Sequence, residues 1–173
     1  MKKISKISAS FLIVASLACI LWLGSYFTRL LISYQLFDKT ISYRKDYLND
    51  QNLSAVLTSI NPAVMTTFVL FIVFLIFYFL FLFTSKLNLR KNGWLFIITV
   101  LVMITAPFEI YLMTIDYHIF SLVDQGRFSN GEVLNLIIKR LTLLSSFSLI
   151  ELLCYGAIIF LAIFKPLTRE ELK

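Results

Sequence analysis

The sequence has little with which to bind a metal or a haem, or to build a disulfide framework. It contains two cysteines, Cys19 and Cys154, and one histidine, His118, in 173 residues. The cysteines lie far apart and neither belongs to a CxxC, which excludes a disulfide scaffold and the usual zinc spacings. Both fall inside apolar runs, where a thiol is inert. A single histidine argues against haem, so no cofactor and no metal are expected. Five glycines and three prolines leave no flexible linker, and nothing divides the chain into two domains. Charge is also scarce, at 15% of residues against about 25% in soluble domains. The phosphate loop G-x-x-x-x-G-K-[ST], H-E-x-x-H and G-x-S-x-G are all missing, which sets aside the usual ATPases, metalloproteases and serine hydrolases. No GxxxG dimer motif, internal repeat, or cysteine pair or signature glycine of known small four-span families is found.

What the sequence does contain is apolar residues, 59% of the chain. From Gln51 to Ser85 no residue is charged, and Phe68 to Phe83 is almost wholly aliphatic and aromatic. About 20 such residues cross a bilayer core of roughly 30 Å. In hydrocarbon every backbone amide needs an internal partner, so long unbroken apolar runs form helices. Four spans are expected, at about 7–33, 62–85, 93–117 and 141–164, giving an all-α integral membrane four-helix bundle in one transmembrane domain. Asn61-Pro62 reads as the cap and first position of the second span. Pro166 ends the fourth. Ser16-Leu17-Ala18-Cys19 has the look of a lipoprotein cleavage box, but the apolar run continues too far past it, so the first span reads as an uncleaved anchor.

Basic residues flank the spans, which fits membrane orientation better than nucleic-acid binding. Lys2, Lys3, Lys6, Lys86, Arg90, Lys91, Lys165, Arg169 and Lys173 fall on one side. Arg29, Lys39, Arg44, Lys45, Arg127, Lys139 and Arg140 fall on the other. The balance, and above all the tight basic loop between the second and third spans, favours both termini in the cytoplasm. The Lys, Ile, Asn and Phe usage suggests a bacterial cytoplasmic (inner) membrane.

The two outer segments carry short helical signals. Tyr34, Tyr43 and Tyr47 suit the headgroup layer, and residues 52–57 suit a short amphipathic helix on the surface. Ser129 and Glu132 form an S-x-x-E capping box, which predicts a helix starting near Asn130 and running unbroken into the fourth span, roughly 50 Å in all.

Several polar residues stand where hydrocarbon makes them costly. Glu109 is roughly 12 Å inward from Tyr117 and Glu151 roughly 15 Å from Leu141, by helical rise. The two could face each other, with Pro107 freeing a carbonyl in the same zone. Thr105, Glu109, Leu112 and Asp116 share one face of the third helix, and Thr142, Ser145, Ser148, Glu151 and Cys154 follow a ridge on the fourth. Two close carboxylates resist ionising together, so this site would hold a proton, a cation or a cationic group. The structural alternative is interhelical glue or pairing with a partner chain. Arg29, Asp116, His118, Lys139 and Arg140 gather near the outer interface. They read either as snorkelling anchors or as an Arg29–Asp116–Arg140 network over the bundle mouth. Trp22, Tyr26 and Arg29 share a face directed at the bundle. The phenylalanine ladder reads as lipid-facing or packing surface.

Three functions remain open at this level. The first is a non-enzymatic accessory or assembly subunit bound to another integral membrane protein. The second is a small oligomeric ion- or proton-coupled transporter using Glu109 and Glu151. The third is a membrane enzyme on a lipid-linked substrate. The partners expected are membrane lipids and a membrane protein or further copies of the chain, and no nucleic acid.

Overall fold

The structure, a computed structural model, describes residues 5–38, 44–46, 48–126, 128–143 and 146–168. Lys2, Lys3, Lys39, Tyr43, Tyr47, Arg127, Ser145, Arg169 and Lys173 lie outside the described residues. Among those described, the chain forms five helices and no strand: α1 (Lys6–Gln35), α2 (Asp50–Ser85), α3 (Gly93–Asp124), α4 (Asn130–Thr142) and α5 (Phe147–Phe164). Four of these, all but α4, are long and apolar enough to cross a membrane. The chain is an integral membrane protein with an all-α bundle.

Four threonine hydroxyls inside the spans are satisfied locally, as hydrocarbon favours. Thr67, Thr84, Thr99 and Thr105 each donate to the carbonyl four residues back, at 2.7–2.9 Å. Hydroxyl pairs also link neighbouring helices: Ser8 to Thr84 at 3.1 Å, Ser25 with Thr67 at 2.9 Å and Tyr78 with Thr99 at 2.8 Å.

The first of these contacts puts the start of α1 beside the end of α2. The Gly93 N–H donates to the Leu167 carbonyl at 3.2 Å, and the Lys165 ammonium stands 5.7 Å from the Trp94 ring centroid. The start of α1, the α2–α3 connection and the end of α5 therefore share one end of the bundle. Lys6, Lys86, Arg90, Lys91 and Lys165 all lie there, and we call it the basic end. The opposite, distal end holds the α1–α2 connection, the last turns of α3, and α4.

Four expectations are corrected. The second span does not open at Asn61-Pro62, and residues 52–57 are not a separate surface helix. Both belong to α2, which starts at Asp50 with Asn49 as its cap. The Asn49 side chain accepts from the Gln51 and Asn52 amides, while Asn52 Oδ1 accepts from the Asn49 amide at 2.9 Å. That reciprocal cap starts the helix three turns early, and Pro62 rides inside it. Next, α3 runs to Asp124, beyond Tyr117. Finally, α4 and α5 are separate helices. Ser129 does precede α4, but its side chain makes no capping bond. Leu143 turns extended (ψ 113°), closing α4 at Thr142, whose hydroxyl bonds back to the Ile138 carbonyl at 2.8 Å. α4 rests on the distal parts of α2 and α3. It buries Val133, Ile137, Arg140 and Leu141 and leaves Glu132, Asn135 and Lys139 exposed, so it is the amphipathic helical piece of the second outer segment.

Two apolar clusters stack along the bundle. One, toward the basic end, gathers Trp22, Tyr26, Phe71, Phe74, Tyr78, Val102, Tyr155 and Ile158. The other, distal, gathers Leu36, Leu53, Leu57, Val64, Leu112, Ile119, Val133 and Ile137. Each spanning helix carries a polar residue where one cluster gives way to the other: Arg29, Thr67, Glu109 and Glu151. Phe71 and Phe74 are core residues, and Phe68 and Phe77 pack partly buried against them.

Candidate functional site

The layer between the clusters is a chain of buried charges. Arg29, on α1, donates through Nη1 to Asp116 Oδ2 on α3 at 2.6 Å. Arg140, on α4, reaches the same carboxylate through Nε at 3.4 Å. Its Nη2 donates to both oxygens of Glu109 at 3.1 Å. All four residues are less than 9% exposed. Burial opposes the charge of Arg140, but the Glu109 and Asp116 carboxylates more than offset that, so its guanidinium holds its proton more tightly than a free arginine.

The face of α3 is the one its spacing implies, since Thr105, Glu109, Leu112 and Asp116 are all buried. Arg29, Asp116 and Arg140 are enclosed and paired, so they do not snorkel. Lys139 and His118 are exposed and line an open groove with Ser129, Glu132 and Asn135, apart from the charge layer.

The break between α4 and α5 brings Arg140 to Glu109. In an unbroken helix, Arg140 would stand roughly 16 Å above Glu151, out of reach of a carboxylate beside it. The same break corrects the depth of the glutamates. Glu151 lies only four residues inside α5, roughly 20 Å from its basic end, and Glu109 lies roughly 24 Å from the start of α3. Both therefore sit in the distal third of a core roughly 30 Å thick, and Arg29 and Asp116 at its distal boundary.

Glu151 faces Glu109 from α5, with Tyr26 beside it on α1. It is fully buried, and neither carboxyl oxygen has a hydrogen-bond partner among the described residues. Two donors nearby, the Tyr26 hydroxyl and Trp22 Nε1, likewise make no well-formed hydrogen bond among the described residues, although the Tyr26 hydroxyl lies near Glu151 and Ser148. The inward face of α5 is Glu151, Tyr155 and Ile158. The three-residue ridge is corrected: Ser148 and Cys154 are half-buried and Thr142 belongs to α4 and is exposed, because 3.6 residues per turn rotates a strict three-residue ridge off the inward face. Pro107 also points outward, as two residues from Glu109 is more than half a turn, so its freed carbonyl does not serve the site.

Aromatic rings close the site toward the basic end. Trp22 lies 4.6 Å from Tyr155, 4.9 Å from Phe71 and 5.3 Å from Tyr26, centroid to centroid. The Tyr155 hydroxyl accepts from Thr105 at a long 3.5 Å. Toward the distal end a cavity of about 30 Å³ lies on the other side of the arginines, with Asn61 in its wall. Sequence reading missed the Arg140–Glu109 pair, Tyr155 and Asn61. Tyr155 was detectable four residues after Glu151, whereas Asn61 was disguised as a helix cap. Among the described residues no group of three or more His, Cys, Asp or Glu side chains is placed to hold a metal.

The site thus holds two guanidiniums, two carboxylates paired with them, and a third carboxyl with no counter-charge of its own. No protein-family model matches the sequence, and comparison with curated proteins and with solved structures finds no match.

Proposed function

We propose that the chain is a small proton-conducting transporter of a bacterial cytoplasmic membrane, with Glu151 as the residue that takes up and releases the proton. One observation carries this reading. The Arg29–Asp116–Arg140–Glu109 chain is already balanced, two positive groups against two negative, and Glu151 stands beside it fully buried, near the Tyr26 hydroxyl but with no well-formed hydrogen bond to either oxygen among the described residues. A carboxyl in that position gains most from a proton or a small cation, because the guanidinium nearest it, Arg140, is already engaged by Glu109 and Asp116. The groups facing it are Tyr26 from α1, Glu109 from α3 and Arg140 from α4. The aromatic layer separates it from the basic end, and α4 covers the route from the distal end, so this is an occluded site closed by rings on one side and by a helix on the other. Arg140 joins the covering helix to the carboxylates. Loading Glu151 and moving α4 are thereby linked through a single guanidinium.

The basic end supports an orientation with both termini in the cytoplasm, since Lys86, Arg90 and Lys91 crowd one short connection. A role as an accessory subunit would have to use the exposed apolar faces, such as Ile13, Leu17 and Ile20 on α1, because the glutamates are enclosed.

The test is proton uptake into proteoliposomes holding a pH-sensitive dye, with the membrane potential clamped. Wild-type protein is expected to acidify the lumen faster than protein-free vesicles, and Glu151→Gln to abolish the difference while eluting as a folded species. No uptake by the wild type, or full uptake by the folded variant, would overturn the reading.

A further inference from the structure

The arginines have a second side. A guanidinium offers five N–H donors. Arg29 uses only Nη1 and leaves Nε and Nη2 without an acceptor among the described residues, and Arg140 leaves Nη1 unused. Both line the cavity on the distal side of the charge layer, together with Ser33, Asn61 and Asp116. The remaining wall is apolar, including Leu57, Val64, Ile119 and Ile137. The Asn61 amide oxygen is buried and has no hydrogen-bond partner among the described residues. Amide oxygen and nitrogen are interchangeable by a flip, so the same side chain can present two donors.

Seen from this cavity the charge is unequal. Two guanidiniums face it and one carboxylate, Asp116, whose oxygens are already engaged by both arginines. Glu109 lies on the far side of Arg140. An anion in the cavity therefore meets excess positive charge and spare donors in an apolar surround, where such contacts are strongest. At about 30 Å³ the space takes one water-sized sphere. A single halide ion is of a size to enter it.

We propose that this cavity is a binding site for a single halide ion, chloride in the cell, held by the spare donors of Arg29 and Arg140 with the amide of Asn61 and the hydroxyl of Ser33. The proposal is independent of the proton role of Glu151, which lies on the other side of the charge layer. A bound anion would offset the arginines that now neutralise Glu109 and Asp116.

The experiment is thermal unfolding of the detergent-solubilised full chain at constant sodium, with gluconate replaced stepwise by chloride or bromide. The wild type is expected to show a saturable rise in midpoint of roughly 2–4 °C with either halide and none with gluconate. Asn61→Leu fills the cavity without touching an ion pair, and Asn61→Asp places a carboxylate in it. Either variant, eluting as a folded species, is expected to lose the saturable rise. Identical midpoints in chloride and gluconate for the wild type would mean that water alone occupies the cavity and would overturn the proposal. A saturable rise that survives in a folded Asn61 variant would overturn the location.

Discussion

At the scale of single residues, the consequences follow from charges that can be neutralised only by one another. Arg140 joins two helices through three short contacts, and its loss leaves Glu109 buried without a counter-ion. Arg140→Met is therefore expected to lower stability by about 3–5 kcal/mol, the usual penalty for breaking a buried pair from one side. The double substitution Arg140→Met with Glu109→Met removes one charge of each sign and leaves Arg29 with Asp116, so it is expected to recover much of the loss. Denaturation in mixed micelles, read as a double-mutant cycle, measures this coupling. A double variant no more stable than the single one would show that the pair is not acting as a unit. Which residues meet was partly legible. Glu109 and Asp116 are seven residues apart, two helical turns, and Trp22, Tyr26 and Arg29 repeat at the same helical spacing. The Arg140–Glu109 pair was not legible, because it exists only if the helix between Arg140 and Glu151 breaks.

At the scale of elements, the four apolar runs fixed the spans to within a few residues at most ends, and failures came where polar signals compete. Asn61-Pro62 has the chemistry of a helix start, yet Asn49 and Asn52 cap each other earlier and the proline is carried inside. Asparagine in place of glutamate or glutamine at the third position hid that cap. The break between α4 and α5 was hidden differently. The buried stripe Val133, Ile137, Arg140 and Leu141 continues in phase with Glu151, Tyr155 and Ile158, so periodicity alone reads through the interruption. The short strap after α5 gives a sharper test. A Cβ at Gly93 would come within 2.8 Å of Leu167 Cβ and 3.1 Å of its carbonyl oxygen. Gly93→Ala is expected to detach residues 165–168 from the α2–α3 connection, seen as faster proteolysis of the tail. Adding Leu167→Gly should restore protection by removing the side chain that clashes. Unchanged proteolysis in the single variant would mean that the strap has room to shift.

At the scale of the whole molecule, the even number of spans makes the basic end a single surface. Cysteines introduced at Arg90 and Thr168 are expected to react with a membrane-impermeant maleimide from the same side, and one at Asn135 only from the opposite side. Labelling of all three from one side would mean that neither α3 nor α5 crosses the membrane. The stacking of two apolar clusters about one charged layer also divides the bundle mechanically. The part toward the basic end is packed by interlocking aromatic rings, whereas the distal part is closed by a short helix held through arginine.

The pairing of Arg29 with Asp116 also has a timetable. The two are separated by 87 residues of chain. At a synthesis rate of about 5–20 residues per second, Arg29 is complete roughly 4–17 s before its counter-ion exists. During that interval α1 has to reside in the bilayer with an unmatched positive charge, which its place at the rim of the hydrocarbon makes tolerable by letting the guanidinium reach the headgroups. The arrival of α3 then draws that charge inward. The charge layer is thus completed late in synthesis, when α4 brings Arg140 after both carboxylates of α3 are in place, and α5 packs beside it last.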